Sequence, residues 1–100
     1  MNKRLTKELQ RRGVPSLYAQ EEEQDTMIYL EITTFKLPWR WFVAEARLDA
    51  GDVLFFGFVA GDFPEWGYFQ LSELETVGPI IVNYDFRPKR FSELKKEYDL

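Results

Sequence analysis

The chain has seventeen acidic residues but no histidine and no cysteine, so carboxylates are its main resource for acid–base or metal chemistry at neutral pH. Asp62 and Glu65 flank one turn, in "GDFPEWG", and Asp49 and Asp52 flank another. Glu45 stands inside a run of apolar and aromatic residues. Paired carboxylates of this kind bind a divalent cation or divide the work of acid and base. The plainer reading is that Asp suits turn geometry and that Glu45 pairs with Arg47, Arg40 or a base on another strand. Trp66, beside Gly67 at the loop tip and rimmed by Asp62 and Glu65, has the composition of a binding hot spot, and the equal alternative is that it folds back over the sheet edge. Asp62, Glu65, Trp66, Glu45, Asp49 and Asp52 are therefore the candidate partner-binding residues. None is assigned a catalytic role, and no metal or cofactor is expected.

Other chemistries lack their residues. The glycines at 57, 61 and 67 do not have the dinucleotide-binding spacing, and no Gly-Lys-Ser/Thr follows them. Serine catalysis lacks its histidine, and every lysine sits in a charged, polar context. Aromatics invite base stacking, and Trp39–Arg40–Trp41 with Lys36 nearby is the one basic interleaved stretch. Charge distribution opposes that reading. The net charge is −4, but residues 21–85 hold thirteen acids against three bases, while residues 1–12 hold five bases against Glu8. A phosphate backbone needs clustered Lys and Arg, whereas an acidic middle suits a basic partner, imitates nucleic acid, or simply keeps the surface solvated. No apolar run is long enough to span a bilayer, and "MNKRLTKELQRRG" has no apolar signal region. A soluble, cytoplasmic protein is expected.

The elements that must position these residues follow from periodicity. An N-terminal helix is predicted over 1–12, with Leu5 and Leu9 at helical spacing, Gly13 as its stop and Pro15 beyond. Residues 13–25 read as extended or loop-like, anchored by Leu17 and Tyr18, with Glu21–Glu23 solvated. The region 27–86 reads as a sheet with one inserted helix. "MIYLEITTF" (27–35) alternates, placing Ile28, Leu30 and Ile32 on one face. "WRWFVAEARL" (39–48) and "VLFFGFVA" (53–60) follow, joined by an Asp49–Asp52 hairpin, and Gly57 signals a bulge or a close backbone approach. "GYFQL" (67–71) is a short strand. Ser72 and Glu75 have capping-box spacing for a helix ended by Gly78–Pro79, "IIVNYDF" (80–86) is a fifth strand, and a C-terminal helix over 92–98 is capped by Ser92. With 45% hydrophobic and 17% aromatic residues, the chain of 100 residues is expected to form one domain over 1–100. Its class is α+β: a mainly antiparallel sheet of about five strands with short helices packed on one face.

"LYAQE" (17–21), "WRWFVAE" (39–45), "FFGFVAGDFPEWGYFQLSELE" (55–75) and "YDFRPKRFSEL" (84–94) together resemble the bacterial family known as domain of unknown function 2958. That family pattern has an Arg-Asp pair near its last strand, where this chain has Asn83, Tyr84 and Asp85. The resemblance implies a setting on plasmids, phages and other mobile elements, and it supplies no catalytic residues. With the acidic middle, it leads to the expectation of a small, non-enzymatic protein–protein interaction module. Such a module would act in counter-defence (anti-CRISPR or anti-restriction) on the basic nucleic-acid-binding surface of a host protein complex. The alternatives are a carboxylate-based, metal-dependent enzyme or ligand-binding domain built on Asp62, Glu65 and Glu45, and a single-strand nucleic-acid binder.

Overall fold

The computed structural model describes residues 2–100. Helix α1 (Lys3–Arg11) leads to a loop and strands β1 (Met27–Ile28), β2 (Leu30–Thr34), β3 (Arg40–Asp49), β4 (Asp52–Ala60) and β5 (Glu65–Gln70). Helix α2 (Leu71–Val77), strands β6 (Ile80–Asn83) and β7 (Lys89–Arg90) and helix α3 (Phe91–Tyr98) complete it. The main sheet is antiparallel, in the order β5-β4-β3-β2-β6, and β1 pairs with β7 in a separate two-stranded ribbon. The chain is thus α+β. The predicted Met1 of the first helix lies outside the described residues. Among those described, no helix is long and apolar enough to cross a membrane.

Alternation makes both sheet faces apolar, and both are covered. On the first face, Leu30, Ile32, Val43, Val53 and Phe55 pack against Leu5 and Leu9 of α1 and Leu71 and Leu74 of α2. On the second, Phe42 and Ala44 meet Ile28, Phe86 and Leu94 of α3. The expectation of helices on one face is therefore corrected: the third helix buries the opposite side. The predicted single strand 27–35 breaks at Tyr29, whose N–H reaches the Val43 carbonyl (2.8 Å). This break sends Ile28 to the second core, while Leu30 and Ile32 serve the first.

Two local devices fix the register. The 49–52 hairpin turns through Ala50 (φ 50°) and Gly51 (φ 85°), the paired left-handed residues that match strand twist. Between Val43 and Glu45 the β3–β4 register shifts, leaving Ala44 as the extra residue of a bulge. Opposite it lies Gly57, where an added Cβ would sit 1.8 Å from the Phe42 carbonyl oxygen, so the close approach expected at this glycine is present.

The helix starts also differ from expectation. Gln70 and Arg90, rather than Ser72 and Ser92, occupy the N-cap positions, and the reciprocal carboxylate is Glu73, accepting from the Gln70 N–H (3.0 Å), not Glu75. Each serine sits two residues past its N-cap and is held by a distant aspartate. Asp52 accepts from the Ser72 N–H (3.1 Å) and hydroxyl (2.5 Å), and Asp25 accepts from the Ser92 N–H (3.0 Å) and hydroxyl (2.6 Å). The serine hydroxyl bond leads the causes that lower the pKa of each aspartate. A lowered folded pKa stabilises the protein above the ordinary aspartate range, and that contribution is lost as pH falls through the folded value. Thermal melts should therefore show Tm falling below about pH 4. An Asp25→Asn/Asp52→Asn variant should melt lower at pH 7 and show a flatter acid profile. Parallel profiles for parent and variant would disprove this role.

Candidate functional site

The bulge at Ala44 has a direct consequence for the candidate residues. Glu45 pairs with Phe56 and so lies on the second face, although strict alternation from Trp41 and Val43 would put it on the first. It is 3% exposed, and no cation among the described residues pairs with it. The expected partners are otherwise engaged: Arg47 reaches Asp49 (3.6 Å), and Arg40 pairs with Glu31. Instead, one Glu45 oxygen accepts from the Tyr18 N–H (2.8 Å) and the other from the Gln20 N–H (2.7 Å). Gln20 then fastens the same loop to the sheet. Its amide donates to the carbonyls of Met27 (2.9 Å) and Ala44 (3.1 Å) and accepts from the Met27 N–H (2.7 Å).

This fixed loop overhangs the second face and forms one side of an open cavity of about 370 Å³, within the roughly 300–1,000 Å³ range of small-ligand clefts. Tyr18, Phe56, Trp66 and Tyr68 supply its aromatic walls. Tyr18, expected to anchor in the core, is instead turned outward by a left-handed backbone (φ 72°), and Leu17 is buried in that role. Trp66 folds back over the sheet: its ring lies 5.9 Å from Phe56 in a stacked arrangement, 5.4 Å from Phe58 and 4.7 Å from Phe91. It remains 37% exposed, which leaves part of the ring to the cavity. Tyr68 packs on Phe56 at 5.0 Å.

Glu21 and Glu23 join Glu45 in the lining, which contains no Lys or Arg; Arg90 approaches Glu23 from outside, at 3.9 Å. Desolvation pushes the Tyr68 phenol pKa upward, and the Tyr18 phenol and the Glu45 and Glu21 charges push it the same way. Every charged side chain of the lining is acidic.

Of the six sequence-derived candidates, the cavity gathers Glu45 and Trp66. Glu65 is cross-strand from Val59 and points to the opposite face from its neighbour Trp66, because successive strand residues alternate. Trp66 and Glu65 belong to β5 and not to the loop tip where they were expected, and Asp62 is exposed in the turn before it. Asp49 ends β3 and Asp52 begins β4, at the opposite end of β4 from that turn, the first beside Arg47 and the second capping α2. Thus Asp62, Glu65 and Glu45 do not form one carboxylate site. Among the described residues no three acidic side chains converge as metal ligands.

The stretch Trp39–Arg40–Trp41 is likewise not an exposed stacking platform. Trp41 is buried in the first core with Trp39 tilted 5.9 Å from it, and Arg40 pairs with buried Glu31. Glu31 also accepts from Asn83 (3.0 Å) and from the Tyr98 hydroxyl (3.3 Å). Arg12, counted with the basic N-terminus, is a buried clasp donating to the carbonyls of Tyr29 (3.2 Å), Tyr84 (2.5 Å) and Phe86. Comparison of the chain with family models, with curated proteins and with solved structures finds no match in any of the three.

Proposed function

We propose that the chain is a non-enzymatic protein–protein interaction module of a mobile element, which docks its acidic, aromatic-walled cavity on a basic surface of a host defence complex. The observation that carries this reading is the cavity itself: three carboxylates and four aromatic rings, with no Lys or Arg in the lining. Aromatic rings anchor interfaces through large, low-entropy contact area, and a uniformly negative cleft steers a positive partner and rejects a negative one. The residue-level resemblance to domain of unknown function 2958 supports the mobile-element setting. A nucleic-acid-binding face of a CRISPR effector or restriction enzyme has the complementary charge.

Affinity purification of tagged protein from bacterial lysate, beside a Glu21→Lys/Glu23→Lys variant, tests it. Both positions are exposed, so charge reversal leaves the core untouched. The expected result is a nucleic-acid-binding complex held by the parent, lost by the variant, and released from the parent as salt rises. No specific partner, or the same partners on both forms, would overturn the reading.

A further inference from the structure

We infer that the cavity is a receptor for one arginine side chain of that partner, its guanidinium held between the tyrosine and tryptophan rings above the Glu45 carboxylate. This deepens the interaction reading and rests on it for the source of the arginine. The fold contains two buried glutamates, each 3% exposed. Glu31 has its counter-ion within the chain, in Arg40. Glu45 has only two backbone N–H donors and lies against an open cavity. The two N–H donors stabilise its charge without neutralising it, so a cationic counter-ion for this one would come from outside the chain.

The shape and the walls select the cation. About 370 Å³ accommodates a side chain and not a helix or strand. Trp and Tyr attract cations over their faces, and a guanidinium, being planar and weakly hydrated, stacks there at smaller desolvation cost than an ammonium. Its five donors also exceed what a lysine offers to the remaining acceptor positions of Glu45 and to Glu21. The site is preorganised: Trp66 is wedged against Phe58 and Phe91, and Tyr18 is held in its left-handed conformation by the hydrogen bond to Glu45.

The test is an NMR titration of the protein with Nα-acetyl-arginine methylamide, beside its lysine and citrulline counterparts. Saturable shifts at the Tyr18 and Gln20 amides and the Trp66 indole are expected, with Kd in roughly the millimolar range for so small a probe. Citrulline, the neutral near-isostere, should bind at least about tenfold more weakly, and lysine should fall between. Tyr68→Ala should lose about tenfold, and Glu21→Gln, at an exposed position of the lining, should weaken binding without touching the fold. No saturable response to arginine, equal responses to citrulline or lysine, or an unchanged Tyr68→Ala would overturn the assignment. The two readings fail separately. Arginine binding without any captured partner would sink the interaction module and leave the receptor. A captured partner that Tyr68→Ala retains, with no arginine response, would do the reverse.

Discussion

Gly57→Ala is expected to cost at least about 3 kcal/mol and to lower Tm by roughly 15 °C. The added methyl would lie 1.8 Å from the Phe42 carbonyl oxygen and 2.9 Å from its carbon, and both are backbone atoms. Relief cannot come from a rotamer change; strands β3 and β4 must part where Val43 faces Gly57. This is also where Ala44 bulges, so the same substitution disturbs the device that aims Glu45 at the cavity. The control is built into the sheet. Gly67 is the cross-strand partner of Gly57 on β5, and a Cβ there meets nothing within 4 Å. Gly67→Ala should stay within about 0.5 kcal/mol of the parent, the ordinary range for an open surface position. Urea melts of the two variants decide it, and a Gly57→Ala protein within about 1 kcal/mol of the parent would show that the strands can yield.

How far the fold was legible follows from where its information lies. Periodicity is local, so α1, the three central strands and the 49–52 hairpin can be read from Leu5 and Leu9, from alternating apolar residues and from Ala50–Gly51. The helix caps are not local: Asp25 reaches Ser92 across 67 positions and Asp52 reaches Ser72 across 20. The "SEL" that follows a strand in both places marks a helix start correctly but hides who caps it. The bulge is harder still. One extra residue reverses the face of everything after it, and the only sequence trace is a glycine on the opposite strand. Tyr29 hides a similar reversal, and with it the second core that α3 covers.

The cavity was half visible for the same reason. Glu45 stood out as an acid in an apolar strand, and Trp66 as an aromatic beside a glycine. Glu65 was joined to Trp66 by nearness in sequence, yet neighbours on a strand face opposite ways. Tyr18 and Glu21 come from a loop that only the Glu45 and Gln20 hydrogen bonds bring over the sheet. A signal did exist for Glu45, a polar residue amid a segment that must be buried, since such residues need partners; Gln20, beside a run of solvated acids, carried none. Glu31 carried the same signal, disguised as the polar half of an alternating strand.

Glu45→Ala should destabilise the fold by about 3 kcal/mol, whether or not the cavity binds anything. Hydrogen bonds to a charged group contribute about 1.5–3 kcal/mol each, and Glu45 accepts two, from the N–H groups of Tyr18 and Gln20. Water can reach the freed donors in part, since Tyr18 is exposed and Gln20 only half-buried, so the loss falls short of the full sum. Glu45→Gln keeps the shape but has one acceptor oxygen, and its amide NH₂ then faces an N–H; about half the cost is expected. Hydrogen exchange separates this anchoring role from a general loosening. In Glu45→Ala the amides of residues 18–20 should exchange much faster while the β4 amides keep their protection. Uniform acceleration across β3 and β4 would mean that Glu45 supports the sheet and not the loop. Tyr68→Ala provides the contrast: the ring is half-exposed and touches Phe56 at the surface, so stability should barely change. The two variants thus separate Glu45, which both holds the loop over the sheet and lines the cavity, from Tyr68, which lines the cavity without supporting the fold.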